Sequence, residues 1–296
     1  MKTSTNMGSV ALMRERLRRV EGRHNPLLKT MRQAFSRAEL TADGDCAIEG
    51  VRIVEEAIRS GLRFRALLFQ ESALSSAQCL LPQIGAHVET LVLPDKLFAS
   101  VVPSETPQGV AALVRYRANS LEALLARPQA GLVIVVAGLQ DPGNLGTILR
   151  SAEAFGAGGV LLGEGTVSAF NPKVVRGSAG SIFRLPIVRV KLATTMTQLR
   201  EHRLRLVATS SHKGLPLPEA DLSPPMAVFI GGEGGGVPRE LLRHMDAIVA
   251  VPHAPQVESL NAGVAASIVL YEAARQQKWA PGMQRAPLGG HRSVAG

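Results

Sequence analysis

The chain has 296 residues, of which 46% are hydrophobic, 4% aromatic and 19% charged. This length is typical of two domains, and the apolar content excludes global disorder. Lysine and arginine exceed aspartate and glutamate by 33 − 24 = 9, which favours a polyanionic partner. The longest apolar run, residues 132–137, is far shorter than the roughly 20 residues that cross a bilayer, so no membrane association is expected.

The basic residues concentrate at the start of the chain. Residues 1–37 hold nine lysines and arginines against Glu15 and Glu21, a local net charge of 9 − 2 = +7. An arm that binds nucleic-acid phosphates and a solvated tail both explain this cluster. The low aromatic content disfavours an exposed platform for base stacking. We therefore predict a basic N-terminal extension over residues 1–22.

The cysteine pattern bears on the compartment. Cys46 and Cys79 are the only cysteines, and neither belongs to a CxxC pair or a Cys/His cluster. Such usage favours the reducing cytoplasm and disfavours a structural zinc site. No signal-peptide apolar region develops before the basic run at residues 13–23. A cytoplasmic protein without a metal site is expected.

A small α/β domain is predicted over residues 23–116. A helical pattern begins at Asn25, and residues 46–61 read as a short strand followed by a helix. The apolar runs at 64–69 and 112–116 are typical of strands. A linker containing a helix is expected over the residues that follow, 117–130.

From residue 131 to 279, five apolar runs alternate with helical patterns. Near-continuous Val/Ile/Leu strands of this kind are typical of a parallel sheet covered on both faces. A tail rich in glycine and proline, residues 280–296, follows this domain. Ligands bind such sheets outside the carboxyl ends of the strands, so the loops there are the candidate site.

The first of these loops opens the segment "LQDPGNLGTILRSAEAFG", residues 139–156. Asn144 is placed to cap the helix that follows. At 100° per residue, Arg150 lies about 200° from Ile148 and points away from the apolar stripe of that helix. Taken alone, a capped helix with a solvent-facing arginine is sufficient to explain the pattern.

The second loop, "FIGGEGGGVP", residues 229–238, places five glycines around Glu233. Glycine lets the backbone approach a ligand closely. The spacing fits neither the dinucleotide-binding fingerprint nor a P-loop. The pattern favours a ligand-binding loop over a simple turn.

The third segment, "VPHAPQVESLNAGVAASIVLYEAARQQ", spans residues 251–277. Ser259 is a candidate N-cap of the last helix, and Asn261 requires a polar partner. The small residues after Asn261 suit close packing, against the sheet or against a second subunit. The helix is predicted to bury a stripe formed by Leu260, Val264, Ile268 and Tyr271.

Taken in this order, the three loops resemble the motifs of the SpoU (TrmH-like) ribose 2′-O-methyltransferases, which belong to the knotted SPOUT class. The segment "NPKVVRGSAGSIFRLP", residues 171–186, also resembles a family motif. The N-terminal unit is similar to the L30-like substrate-binding domain that often precedes the catalytic domain. The resemblance covers residues 23–278. Thr147, Gly232 and His253 differ from the residues usual in the family.

The resemblance implies an α/β protein in which a small L30-like α/β domain precedes a parallel-sheet SPOUT domain with a deep trefoil knot. It also implies methyl transfer from S-adenosylmethionine to a ribose 2′-hydroxyl of RNA, in a homodimer whose subunits both contribute to each site. By carry-over, the cofactor contacts would be Gly231, Val251 and Leu260. The polar active site would comprise Asn144, Arg150, Glu233, Ser259 and Asn261, and Arg176 would bind RNA.

Within that set, we expect Arg150 to clamp an RNA phosphate and the target ribose, because its guanidinium forms bidentate hydrogen bonds. Ser259 or water would take the hydroxyl proton, and Glu233 would orient Arg150 or Asn144. Ribosomal RNA is favoured over transfer RNA as the target. The alternatives are a transfer-RNA 2′-O-methyltransferase, an enzyme that methylates a base nitrogen, and a non-catalytic RNA-binding protein on the same fold.

Overall fold

The computed structural model describes residues 16–127 and 131–277. It contains two sheets, one of five strands and one of seven. They correspond to the two α/β units that the sequence predicts. Most of the predicted basic extension, the end of the linker and the predicted C-terminal tail lie outside the described residues.

The N-terminal domain is a mixed sheet in the order β1-β4-β3-β5-β2. Strands β1 and β3 pair with β4 in parallel, whereas β5 pairs with β2 and β3 in antiparallel. Its strands are β1 (Leu17–Arg19), β2 (Asp45–Glu49), β3 (Phe64–Gln70), β4 (Glu89–Leu93) and β5 (Val110–Arg115). Its helices are α1 (Pro26–Arg37), α2 (Val51–Arg59), α3 (Ser75–Leu80) and α4 (Asp95–Ala99).

Strand β1 alters the boundary predicted from charge alone. Leu17–Arg19 pairs with β4, and the Arg16 guanidinium donates to the carbonyl oxygens of Leu81, Ile84 and Gly85 at 3.0, 3.1 and 2.9 Å. Residues 17–19 therefore belong to the sheet and not to an extension. The charge pattern did not indicate this strand, because its pairing is made by backbone groups and not by the basic side chains.

The C-terminal domain is an all-parallel sheet in the order β10-β12-β9-β11-β6-β7-β8. Helix α5 (Leu121–Leu125) precedes it within the predicted linker. Its strands are β6 (Leu132–Ala137), β7 (Gly159–Leu162), β8 (Ile187–Arg189), β9 (Arg205–Ser210), β10 (Leu215–Pro216), β11 (Met226–Gly231) and β12 (Ala247–Ala250). Its helices are α6 (Pro142–Ala154), α7 (Pro172–Gly177), α8 (Ser181–Arg184), α9 (Leu192–Glu201), α10 (Arg239–Leu242) and α11 (Ala262–Gln276).

Both faces of this sheet are covered, as the near-continuous apolar strands predict. Along β6, Ile134 and Val136 enter one apolar cluster, and Val133 and Val135 enter another on the opposite face. This alternation follows from the two-residue period of a strand. All six residues of β6 are buried, so the strand is fixed from both sides and its carboxyl end is a rigid support for the loop that follows.

The two domains share one apolar cluster. Ile48 and Ile53 of the N-terminal domain belong to the same cluster as Ile134 of the seven-stranded sheet. Tyr116 and Phe170 meet edge to face with ring centroids 4.9 Å apart. Within the described ranges, none of the helices combines the length and the apolar character that crossing a membrane requires.

Candidate functional site

The N-cap of α6, in the first loop, is not the predicted residue. Asp141 is the N-cap, because its carboxylate accepts the backbone N–H of Asn144 at 2.7 Å, and Pro142 occupies the first helical position. The predicted cap at Asn144 is therefore wrong. Asn144 lies inside the helix and is buried, and its amide donates to Glu233 Oε1 at 2.8 Å. The residue is thus available to fix a neighbouring loop.

The glycine-rich loop after β11 folds back on its own backbone. A Cβ at Gly231 would collide with the main chain of Gly236 and Val237, and one at Gly232 would lie 2.6 Å from the Gly138 carbonyl oxygen. Gly232 and Gly236 also form an antiparallel bridge. Glycine is required at 231 and 232 because main chain packs directly on main chain. This brings the loop after β11 against the loop after β6.

Glu233 stands at the tip of this glycine-rich turn. Desolvation by burial raises the pKa of its carboxyl group. Hydrogen bonds from the Asn144 side chain and from the backbone N–H groups of Glu233, Gln140 and Asp141 outweigh that effect and lower the pKa below its ordinary value. Glu233 is therefore an anion at neutral pH. Of the two partners predicted for Glu233, Arg150 and Asn144, the structure forms the contact with Asn144.

The third segment caps α11 through Asn261. Its side-chain oxygen accepts the backbone N–H groups of Gly263 and Val264 at 3.0 and 3.2 Å. The predicted cap at Ser259 is wrong by two residues. Ser259 is exposed in the preceding loop, where its hydroxyl is not committed to the helix end.

The buried face of α11 also differs from the predicted stripe. Val264, Ile268 and Tyr271 are 47%, 37% and 48% exposed. The face turned inward instead contains Gly263 and Ala266, and the neighbouring Ser267 hydroxyl lies 2.7 Å from that of Ser151 on α6. Val269 and Leu270 are buried on this side as well, and the small residues Gly263 and Ser267 let α11 approach α6 closely. The close packing left open in the sequence is thus made, within this chain, against α6.

These loops enclose a cavity of about 380 Å³, which we call the loop cavity. A volume of this size is typical of a small-molecule site. Of the residues predicted for the site, the following line it: Gly231, Glu233, Val251, Ser259, Leu260 and Asn261. Asn144 is held to the cavity by its hydrogen bond with Glu233.

The cavity also includes residues that the sequence alone did not assign to the site. Thr209, Ser210 and Ser211 lie at the carboxyl end of β9, and His253 faces the cavity from the third loop. The His253 ring nitrogen Nδ1 lies 2.8 Å from the Val251 carbonyl oxygen. The position of residues 209–211 at the carboxyl end of a predicted apolar strand was the signal available for finding them.

Arg150 and Arg176 lie elsewhere. Both line a second cavity of about 530 Å³ between the two domains, which we call the arginine cleft. Its C-terminal-domain wall also includes Ala179, and its N-terminal-domain wall comprises Arg52, Ile53, Glu55, Glu56, Arg59 and Gln108. Arg150 is exposed, as its helical position predicts. The structure thus separates the two predicted arginines from the residues of the loop cavity.

Arg176 is held by the N-terminal domain. Its Nη1 atom lies 3.7 Å from Glu49 Oε2 and donates to the Ser104 hydroxyl at 3.3 Å. Arg184 makes a second link across the same boundary, with Glu153 on one side and Glu56 on the other at 2.5 and 2.9 Å. The walls of the cleft are therefore connected by ion pairs as well as by apolar packing.

Comparisons with known proteins agree with this two-domain arrangement. Residues 131–271 match the SpoU rRNA methylase family, and residues 25–112 match the MRM3-like substrate binding domain. The chain is 33% identical over 256 residues to the 23S rRNA (guanosine(2553)-2′-O)-methyltransferase RlmP of Bacillus subtilis, across 86% of this chain and 98% of that protein. The chain belongs to the SpoU family.

Other SpoU proteins resemble the chain along most of its length. A 23S rRNA (uridine(2479)-2′-O)-methyltransferase of Streptomyces viridochromogenes is 31% identical, across 88% of this chain and 93% of that protein. The crystal structure of the SpoU methyltransferase AviRb from the same species, in complex with AdoMet, has a TM-score of 0.75 and 29% identity. That match covers 86% of this chain and 99% of AviRb. The fold and the domain order are therefore those of the family.

Proposed function

We propose that this SpoU protein transfers a methyl group from S-adenosylmethionine to a ribose 2′-hydroxyl of structured RNA. The observation that carries the proposal is the meeting of three loops around one cavity, with Asn144 and Glu233 hydrogen-bonded at its edge. The similarity to two 23S rRNA 2′-O-methyltransferases supports the reaction and favours ribosomal RNA as the substrate class. Those two relatives act on a guanosine and a uridine, so kinship alone does not assign the nucleotide.

The loop cavity suits S-adenosylmethionine in size and in lining. Gly231 presents backbone where any side chain would collide with the neighbouring strand of the loop. The hydroxyl groups of Ser210 and Ser259 provide polar partners, and AviRb was solved with AdoMet bound. Gly231, Val251 and Leu260 would hold the cofactor, which supplies a methyl group on a positively charged sulfur and leaves as a neutral thioether.

The remaining task of the site is to align the 2′-oxygen and to remove its proton. Arg150 would clamp the phosphate beside the target ribose, since a guanidinium binds phosphate in a bidentate manner. Ser259 or a water molecule would accept the hydroxyl proton. Glu233, an anion at neutral pH, would fix the Asn144 amide, and Asn261 would hold the start of α11 in place.

A homodimer would bring these parts together. Arg150 lines the arginine cleft, whereas Ser259 and Asn261 line the loop cavity. The exposed apolar residues Val264 and Ile268 on α11 would be buried by a second copy of this chain. In such a dimer, each site would combine the loop cavity of one subunit with an arginine of its partner.

Light scattering tests this arrangement. We expect wild-type protein to have the mass of a dimer, and Ile268→Asp to have that of a monomer with reduced methyl transfer. Leu215→Asp is the matched control, because Leu215 is exposed to a similar degree, 44%, but lies on β10. A wild-type monomer at assay concentration would contradict the proposal.

We also infer that the last loops form the deep trefoil knot of the SPOUT class and that the protein works in the cytoplasm. The knot is supported by family membership and by the contact between the loops after β6 and β11. Ribosomal RNA as substrate supports the compartment.

Nucleoside mass spectrometry decides the function. Ribosomal and transfer RNA from cells with and without the gene should differ by one 2′-O-methylated nucleoside in ribosomal RNA. Loss of a 2′-O-methylated nucleoside from transfer RNA would favour transfer RNA as the substrate. Loss of a base-methylated nucleoside would favour methylation of a base nitrogen. If calorimetry shows no binding of S-adenosylmethionine, the protein is a non-catalytic RNA-binding protein.

A further inference from the structure

Glu49 is a buried carboxylate that the proposed chemistry leaves without a role. It ends strand β2 of the N-terminal domain and is 3% exposed. Burying a charge is costly unless it is paired and hydrogen-bonded. The partners of Glu49 therefore show what its position achieves.

Two of these partners belong to the loop that lines the arginine cleft. The Ser104 hydroxyl donates to Glu49 Oε2 at 2.5 Å, and the backbone N–H of Gln108 donates to Oε1 at 3.3 Å. Gly50, at φ +106°, lies where a side chain would collide with the Gln108 amide. The two hydrogen bonds of Glu49 hold Ser104 and Gln108 against the end of β2.

The third partner comes from the catalytic domain. Arg176 Nη1 lies 3.7 Å from Glu49 Oε2 and donates to Ser104 Oγ. The Ser104 hydroxyl thus accepts from Arg176 while it donates to Glu49. Only 33% of the Arg176 side chain is exposed, so this arrangement limits the directions in which its guanidinium can point.

We propose that Glu49 is a positioning residue that presents Arg176 to the RNA backbone in the arginine cleft. The inference rests on the proposed function. Under this proposal, the N-terminal domain does more than hold RNA. Its buried Glu49 carboxylate sets the orientation of Arg176, an RNA-binding group on the catalytic domain. Arg176 is then ready to accept a phosphate with little loss of side-chain freedom.

Simple electrostatics makes the opposite prediction, which gives the proposal a sharp test. Removing a negative charge from beside a basic cleft would tighten RNA binding if charge alone mattered. If Glu49 orients Arg176, the isosteric Glu49→Gln variant would bind RNA more weakly. We expect its KM for RNA to rise about tenfold with kcat changed less than about threefold.

The assay is methyl transfer to ribosomal RNA purified from cells that lack the gene. In an Arg176→Ala background, Glu49→Gln should cause no further rise in KM, because the group that it orients is absent. Binding of S-adenosylmethionine, measured by calorimetry, should equal that of the wild type in every variant. Additive effects of the two substitutions, or a lower KM in Glu49→Gln, would overturn the proposal.

Asp45→Asn is the matched control for loss of stability. Asp45 begins the same strand, is fully buried, and is paired with Arg65 and Arg115 at 3.0 and 2.7 Å, away from the cleft. It should lower the melting temperature and leave the KM for RNA unchanged. An equal KM rise in both variants would assign Glu49 a purely structural role. Wild-type protein that methylates no ribose would instead refute the proposed function itself.

Discussion

The loop cavity and the arginine cleft differ in the kind of surface that each offers to a ligand. The loop cavity is built within the C-terminal domain and is lined largely by backbone, small side chains and hydroxyls. The arginine cleft lies between the domains and is lined mainly by charged side chains on helices. A cavity of the first kind selects by shape, whereas one of the second kind selects by charge.

This difference indicates how the two ligands would be handled. A small cofactor is bound tightly and specifically by close contact with main chain, which cannot move away. RNA is attracted by charge along its backbone, and its alignment depends on how rigidly the arginines are held. Substitutions in each cavity should therefore alter different measured constants.

The largest effect is expected for Arg150→Lys. Lysine keeps the charge but loses the bidentate geometry, so kcat at saturating RNA should fall about a hundredfold. Binding of S-adenosylmethionine should be unchanged, because the residue lies in the arginine cleft. Single-turnover methyl transfer measures the rate. Near-full turnover by the lysine variant would show that the phosphate clamp is wrong.

A smaller effect, on the other cavity, is expected for Gly231→Ala. The new methyl group would collide with the backbone of Gly236, and overpacking of this kind costs about 1–3 kcal/mol. The Kd for S-adenosylmethionine should rise about tenfold to a hundredfold, while RNA binding is retained. Gly234→Ala is the control, because its Cβ would meet open space. Equal loss in both variants would contradict the role assigned to close backbone packing.

Salt should separate the two cavities as well. RNA affinity should fall steeply as salt rises, and Arg176→Ala should reduce the slope of log K against log salt by about 1. Binding of S-adenosylmethionine should change little over the same range. Filter binding and calorimetry at matched salt concentrations measure both. If the affinity for S-adenosylmethionine depended on salt as steeply as the affinity for RNA does, the proposed difference between the two cavities would be wrong.

The smallest effect concerns pH. Because the pKa of Glu233 is lowered, its carboxylate and the hydrogen bond from Asn144 persist above the ordinary carboxyl pKa of about 4.3. They are lost only as the pH falls through the lowered value. Glu233→Gln should therefore reduce the rate by a similar factor throughout pH 5.5 to 8, roughly severalfold. A fall in the wild-type rate near pH 6 that is absent from Glu233→Gln would contradict this assignment.

Much of the architecture follows from sequence pattern alone. The buried strand at residues 132–137 and the helix after it were predictable, because a parallel sheet with two covered faces requires apolar runs between helices. The resemblance to the SpoU family led us to expect Glu233 beside Arg150 or Asn144, and the second contact is present. Such features depend on local pattern and on the geometry of the carboxyl edge.

Other features depend on tertiary packing and could not be predicted locally. Ser259 and Asn261 are both good capping residues, and a two-residue difference in where α11 begins is not encoded in spacing. The helix has two faces that satisfy helical periodicity, and the one with Ile268 was the wrong choice because α6 packs against the face that holds Gly263 and Ser267. Which cavity Arg150 enters depends on where the N-terminal domain lies.

One pair of glycines links the two cavities. A Cβ at Gly146 would lie 2.9 Å from the Gly177 Cα, so at this point the backbones of α6 and α7 are in direct contact. Gly146 is two residues from Asn144, and Gly177 directly follows Arg176. The separation between Asn144 and Arg176, the residues proposed to face the cofactor and the RNA, thus depends on a direct contact between two glycines. Any side chain at Gly146 would push the two helices apart and change that separation.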